Sequence, residues 1–205
     1  MPLLSGTHTV GSVEPEFLSQ IGLQPLSDGR FVLQKKKHEG GIAWRIHGDL
    51  SASLSQVAQA LRVQSPYVAA QWRGEALAVC SDGGQTVGQV ERGAVRPLGM
   101  ATQAVHLVGH AADGRIWVQQ RALDKANDPG LWDTLMGGMV SAADTVATAL
   151  ARETWEVVSE GLAPVNQDGE VAQFALLDRA ELLHRLAQNQ FTTEAALILV
   201  AALQR

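Results

Sequence analysis

The pair Asp113-Gly114 most restricts how this chain can fold. It separates Val105-His106-Leu107-Val108 from Ile116-Trp117-Val118-Gln119, two short runs rich in β-branched and aromatic residues, and an Asp-Gly pair tolerates the positive φ angles of the turns that match strand twist. The pattern predicts a hairpin joining the two runs. Further on, Trp132-Asp133-Thr134-Leu135-Met136 reads as a short strand ending at a Gly137-Gly138 turn. A helix is predicted next, with Ser141 and Asp144 at capping-box spacing and Val146, Ala149, Leu150 and Trp155 on its apolar face. Val171 to Leu177 reads as a strand, Asp178 with Glu181 caps a helix through Leu186, and a last helix runs from about Thr192 to Leu203.

The first hundred residues carry a different pattern. Ile42, Trp44 and Ile46 alternate with Ala43, Arg45 and His47, and the lysine- and glycine-rich stretch before them is read as joining that strand to Phe31-Val32-Leu33. Ser51 or Ser53 is expected to cap a helix that buries Leu54, Val57, Ala58 and Leu61. Ala76 to Cys80 and Thr86 to Val90, joined by Ser81-Asp82-Gly83-Gly84, form a second predicted hairpin. Arg96-Pro97-Leu98-Gly99 interrupts periodicity and is taken as a linker. The expected organisation is a small α+β domain over 1–98, followed by a second domain over 99–205.

A chain of 205 residues can bury about 70% of its unfolded surface, and 46% hydrophobic with 18% charged residues is ordinary for a folded protein. A net charge of −5, with one short basic run at Lys35-Lys36-Lys37, argues against a nucleic-acid partner. The one cysteine, Cys80, excludes an intramolecular disulfide and a cysteine-rich zinc site. No segment reads as an export signal or membrane span, so a cytoplasmic location with no membrane partner is expected, a homodimer staying open.

Chemistry concentrates on the helix after Gly137-Gly138. There Arg152, Glu153 and Glu156 stand close together, and the i, i+3 spacing puts both glutamates on one face. Two carboxylates side by side repel unless a hard divalent cation lies between them, which makes Glu153 and Glu156 candidate ligands for magnesium, or for manganese in its place. A solvated helix face is the plainer account of the same spacing.

Gly138-Met139-Val140-Ser141-Ala142-Ala143-Asp144, followed after seven residues by Arg152-Glu153-Thr154-Trp155-Glu156, resembles the Nudix box. Gly138, Arg152, Glu153 and Glu156 match the family pattern in register, Asp144 stands where the family has glutamate, and Thr154 replaces an apolar residue. Val105-His106-Leu107, Trp117 to Arg121, the Lys125 to Gly130 loop, Leu131-Trp132-Asp133 and the stretch from Asp168 to Arg205 are similar to two-domain Nudix proteins related to thiamin pyrophosphokinase. Gly6 to Pro15 looks like the opening of their N-terminal domain. The resemblance implies an α/β fold, a Nudix-like α/β/α sandwich with a mixed sheet, and magnesium-dependent hydrolysis of a nucleoside- or thiamin-type diphosphate. On that reading Glu153 and Glu156 hold the metal, Arg152 orients them, and the Gly137-Gly138 backbone allows close approach. Glu170 is a candidate general base, with a plain surface role equally open. Arg121 and Lys125 are candidates for substrate phosphates against a solvated alternative, and Trp132 for stacking on a substrate ring against a place in the core.

The sequence departs from the family after Glu156. A second glutamate and a glycine are expected there, and Val157-Val158-Ser159-Glu160-Gly161 follows instead, with only Val157 to Gln167 before the Asp168-Gly169-Glu170 turn. The second domain thus reads as shortened near 156–158. Glu160 supplies a third carboxylate if the helix continues, lying i+4 from Glu156, and belongs to a loop leading through Pro164 if it does not. The runner-up function is a Nudix-like module that binds a ligand or partner without catalysis.

Overall fold

The computed structural model describes residues 1–21, 32–38, 41–157, 164, 166 and 169–204, with the side chains of 154–157 outside the description. The chain divides into two compact units: Met1–Gln103 with Val140–Thr145, and Ala104–Met139 with Val146–Arg205.

In the first unit β1 (Pro2–Ser5), β2 (His8–Ser12), β3 (Leu33–His38) and β4 (Gly41–Ile46) form a sheet in the order β2-β1-β4-β3, with β1 and β4 parallel. The lysine run is itself the edge strand β3, where charged side chains discourage pairing with another chain, and not the connection that the sequence suggests. Phe31 lies outside the described residues. Helix α1 (Leu50–Gln64) buries Leu54, Val57, Ala58 and Leu61 as the periodicity predicts, but Asp49 caps it by accepting from the Ala52 N–H at 2.8 Å. Ser51 and Ser53 are one turn in: the Ser51 hydroxyl accepts from the Gln89 N–H and the Ser53 hydroxyl donates to the His47 carbonyl. After α2 (Pro66–Ala70), the strands β5 (Ala76–Cys80) and β6 (Thr86–Glu91) form the second predicted hairpin, and α3 (Arg92–Val95) follows. Arg96 to Gly99 is packed in this unit: Leu98 is fully buried, and the carbonyls of Leu98 and Gly99 both accept from the Ser12 N–H at 3.1 Å.

The second unit begins with β7 (Ala104–Leu107), β8 (Gly109–His110) and β9 (Ile116–Arg121). The turn at Asp113-Gly114 forms, but it joins β9 to β8, while β7 pairs with β11. The chain changes sheets between Leu107 and Gly109. It changes again at Leu135, between β10 (Trp132–Thr134), which pairs with β9, and β11 (Met136–Met139), which pairs with β7. Gly137-Gly138 is therefore inside a strand and not a turn. Helix α4 (Val146–Val157) packs on β7 and β11. It starts five residues after Ser141, which forms a bridge with Leu77 and no helix cap. Strand β12 (Val171–Leu177), α5 (Arg179–Ala187) and α6 (Thr193–Ala202) follow as predicted, with Asp178 and Thr192 as caps. Strand pairings in this unit are antiparallel, and a parallel bridge joins Trp132 to Phe191.

Ile116, Val118, Trp132, Leu177, Leu182, Phe191, Ala195 and Leu199 form the core of the second unit. The chain is thus an α/β fold in which two small sheets diverge at Leu135. Among the described residues no helix is long and apolar enough to cross a membrane.

Helix α6 is apolar on every side, so burial alone separates its leucines. Leu199→Ala, at a fully buried position, should lower unfolding free energy by about 2–5 kcal/mol, whereas Leu197→Ala, 69% exposed, should change it by less than about 0.5 kcal/mol. Urea denaturation of both variants measures the contrast.

Candidate functional site

Glu153 is placed by the seating of α4 on β11. Ala149, on the inward face of α4, is completely buried, and Glu153 follows it by one turn on the same side. Its carboxylate lies against the bare backbone of Gly138: a Cβ built there would stand 2.4 and 2.7 Å from the two carboxylate oxygens. A side chain at position 138 would occupy the space of the Glu153 carboxylate and push it aside. Glu156 follows three residues later on the same helical stripe, its side chain outside the description, and Arg152 is exposed. Asp144 lies in the turn before α4, its N–H bonded to the Ser141 carbonyl at 3.0 Å. Glu160 and Gly161 lie outside the described residues, as does Asp168.

A carboxylate over bare backbone is of the oxygen-donor type that a hard cation takes. Among the described residues no group of three or more acidic, histidine or cysteine side chains could hold a metal; of the two glutamates predicted to do so, Glu153 is described and the side chain of Glu156 is not.

Beneath β11 lies a polar cluster of Asp133, Thr134, His106 and Arg121, of which the sequence singled out Arg121 alone. Asp133 is 7% exposed; its Oδ1 accepts from the Thr134 N–H at 2.8 Å, and its Oδ2 accepts from Arg121 Nη1 at 3.4 Å. His106 Nδ1 is 2.9 Å from Thr134 Oγ1 and 3.9 Å from Asp133 Oδ1. The Thr134 hydroxyl donates to the Met136 carbonyl at 2.8 Å. Burial pushes the Asp133 carboxyl above its ordinary range, opposed by the Thr134 N–H and by the charges of His106 and Arg121. The visible signal was a charge inside an apolar strand, between Trp132 and Leu135, which burial permits only with partners.

The other predicted groups are already engaged. The Arg121 guanidinium donates to the carbonyls of Asn127 and Asp128 as well as to Asp133, closing the loop after β9. The Lys125 ammonium is ion-paired with the Glu170 carboxylate, and the Ala122 N–H donates to the Glu170 carbonyl. Trp132 is buried in the core, and the Arg185 guanidinium lies 4.7 Å from its ring centroid.

Residues 100–159 match the family model of the NUDIX domain. The match supports the Nudix superfamily for this segment. The chain is 33% identical over 82 residues to the uncharacterized Nudix hydrolase PA4841 of Pseudomonas aeruginosa, an alignment covering 40% of this chain and 48% of that protein. The chain therefore spans about half the length of that curated relative. Among solved structures, DR0079 from Deinococcus radiodurans superposes with a TM-score of 0.51 at 18% identity, covering 58% of this chain and 92% of the other, a likeness of fold.

The Nudix-like glycine pair makes a paired prediction. A Cβ on Gly137 meets the His106 imidazole at 2.5 Å, a rigid ring largely enclosed, whereas one on Gly138 meets the far end of the flexible Glu153 side chain. Gly137→Ala should therefore cost about 1–3 kcal/mol of stability through overpacking, and Gly138→Ala less, while displacing the carboxylate and weakening manganese binding. Thermal unfolding and metal titration separate the two. A second test uses pH. A carboxyl whose folded pKa is raised binds its proton more tightly when folded, so its contribution is present at low pH and lost as pH rises from about 4, the ordinary value, through the raised one. Unfolding of wild type against Asp133→Asn should show this decline in wild type alone.

Proposed function

We propose that the chain is a magnesium-dependent hydrolase of a diphosphate linkage in a small organic molecule, a nucleoside- or thiamin-type diphosphate. The observation that carries the reading is the Glu153 carboxylate seated over Gly138 at the start of the matched box. Nudix domains are generally dependent on a divalent metal.

A diphosphate resists hydrolysis because its anionic oxygens repel a nucleophile. The bound cation would neutralise those oxygens and acidify water, manganese serving in place of magnesium. Glu153 and Glu156 would hold it, and α4 supplies the rigidity that keeps the two carboxylates at one turn's spacing. Arg152, adjacent in sequence, contributes the positive charge that offsets their repulsion. Glu170 can take a proton from water only after exchanging Lys125, and Lys125, once released, is a compact cation suited to a phosphate oxygen. One ion pair thus stands in place of two reactive groups until a polyanion arrives. Arg121 supports the loop that carries Lys125 and shapes the site through it.

A second reading, a Nudix-like binding module without catalysis, is favoured by Val157 where the box expects a second glutamate. Phosphate release from a panel of nucleotide sugars, dinucleotides and thiamin diphosphates, with magnesium, decides between the two. Turnover on any member supports the hydrolase; binding without release throughout supports the module.

Glu153→Gln keeps the shape of the side chain and removes the charge that attracts a cation. Activity should fall at least about a hundredfold, roughly 3 kcal/mol of transition-state stabilisation, with unfolding nearly unchanged. Near-normal turnover would show that the metal is held elsewhere.

A further inference from the structure

We propose that His106 is a positioning residue for this site: its Nδ1–H, held on the Thr134 hydroxyl, fixes β11 at the height where Gly138 lies under the carboxylate of Glu153. The proposal rests on the reading of Glu153 as a metal ligand.

The proton can be located by elimination. The Thr134 hydroxyl has one proton and three groups in reach that can accept it: the Met136 carbonyl at 2.8 Å, Asp133 Oδ1 at 3.5 Å and, in the Nε2–H tautomer, His106 Nδ1 at 2.9 Å, whose bare lone pair would then face the Asp133 carboxylate. The shortest contact, to a carbonyl that can only accept, takes it. An oxygen that has given its proton to Met136 can only accept from His106 Nδ1 at 2.9 Å, so Nδ1 carries hydrogen. That holds for the cationic ring and fixes the neutral ring as the Nδ1–H tautomer. Asp133 Oδ1, 3.9 Å from Nδ1, favours the same arrangement.

Packing connects this bond to Glu153. His106 stands opposite Gly137 in the β7·β11 register, and the Cβ position of Gly137 would be 2.5 Å from Nδ1 and 2.7 Å from Cε1. The ring thus rests on bare backbone. Successive strand residues face opposite ways, so the ring presses one face of β11 at Gly137 while the Glu153 carboxylate rests on the other face at Gly138. A two-stranded ribbon is marginal by itself and takes its position from what packs on it. Without the ring, the glycine backbone has no side chain to stop it settling into the space, and the floor under Glu153 moves with it. Displacements of about 1 Å in supporting structure can cost about a hundredfold in rate.

Replacements discriminate bond from bulk. Asparagine places an amide N–H where Nδ1 stands, whereas leucine fills the space and donates nothing. The first test is proton–nitrogen correlation spectroscopy of the wild type, which should show His106 as the Nδ1–H tautomer; an Nε2–H tautomer overturns the proposal. The second is manganese titration followed by electron paramagnetic resonance, with kcat and KM for a diphosphate that the wild type hydrolyses. His106→Leu should weaken manganese binding and lower kcat by about ten- to a hundredfold, as loss of a supporting partner does, with KM little changed. His106→Asn should recover most of both. Should His106→Leu fail to fold, Thr134→Val, which removes the acceptor and keeps the shape, is expected to show the same loss. Equal manganese affinity in wild type and Leu variant, or an Asn variant as impaired as Leu, overturns the positioning role and leaves the hydrolase reading standing. His106-dependent manganese binding without hydrolysis of any diphosphate overturns the hydrolase reading and leaves the positioning role. A wild type that binds no manganese overturns both.

Discussion

A single hydroxyl proton, that of Thr134, sits where the two sheets of the second unit part. Strand β10 belongs to the sheet built on β9, and β11 belongs to the ribbon with β7; Leu135 is the one residue between them. Such a fork normally leaves backbone groups without ladder partners. Here the Thr134 hydroxyl takes up the Met136 carbonyl on one side of the fork, and Asp133 takes up the Thr134 N–H on the other. The fork can be buried because these side chains complete what the sheets leave open. Asp133 in turn requires a counter-charge, and Arg121 supplies it while also holding the loop carbonyls of Asn127 and Asp128. Hydrogen bonds thus run from the Met136 carbonyl through Thr134 and Asp133 to Arg121 and the loop carrying Lys125.

Local signals in the chain were legible and partner choice was not. The caps at Asp178 and Thr192, the strand Val171–Leu177, and the buried face Leu54, Val57, Ala58 and Leu61 depend on residues within a few positions of one another, and they form as the spacing implies. The turn at Asp113-Gly114 likewise forms. What failed was the assumption that the runs flanking it pair along their length, because β7 finds β11, some thirty residues on. Periodicity reports which face of a strand is apolar and carries no information about the neighbour. Ser51, Ser53 and Ser141 were misplaced as caps for a related reason: several hydroxyl or carboxylate groups precede each helix, and tertiary packing selects Asp49 for α1 and delays α4 to Val146.

The candidate site divides the same way. Gly138 and Glu153 meet as their spacing implies, although the glycine lies in a strand and not in the turn that was expected, and the side chain of Glu156 lies outside the description. The core place of Trp132 was readable too, but the states of Arg121, Lys125 and Glu170 were not, since each depends on a partner distant in sequence or on a loop closing back: Arg121 on Asp133 and the carbonyls, Lys125 on Glu170. A sequence shows that a cation is near an expected phosphate position. Only the fold shows that the cation already has a carboxylate.

That engagement bears on how the site would discriminate. The Lys125–Glu170 pair is partly exposed, and such pairs are worth at most about 1 kcal/mol, so exchanging it for a dianionic phosphate is cheap. The Arg121 contacts differ, because withdrawing the guanidinium would break its bonds to the carbonyls of Asn127 and Asp128 and remove one of the two charges, with His106, that offset the burial of Asp133. The two cations predicted from sequence as equivalent phosphate ligands therefore separate by energy. Lys125 can move toward a ligand and Arg121 must stay. On the proposed function a substrate would meet a fixed floor, formed by β11 over its polar fork, and an adjustable wall, formed by the loop that Arg121 anchors and Lys125 tips, and discrimination between diphosphates would fall to the loop.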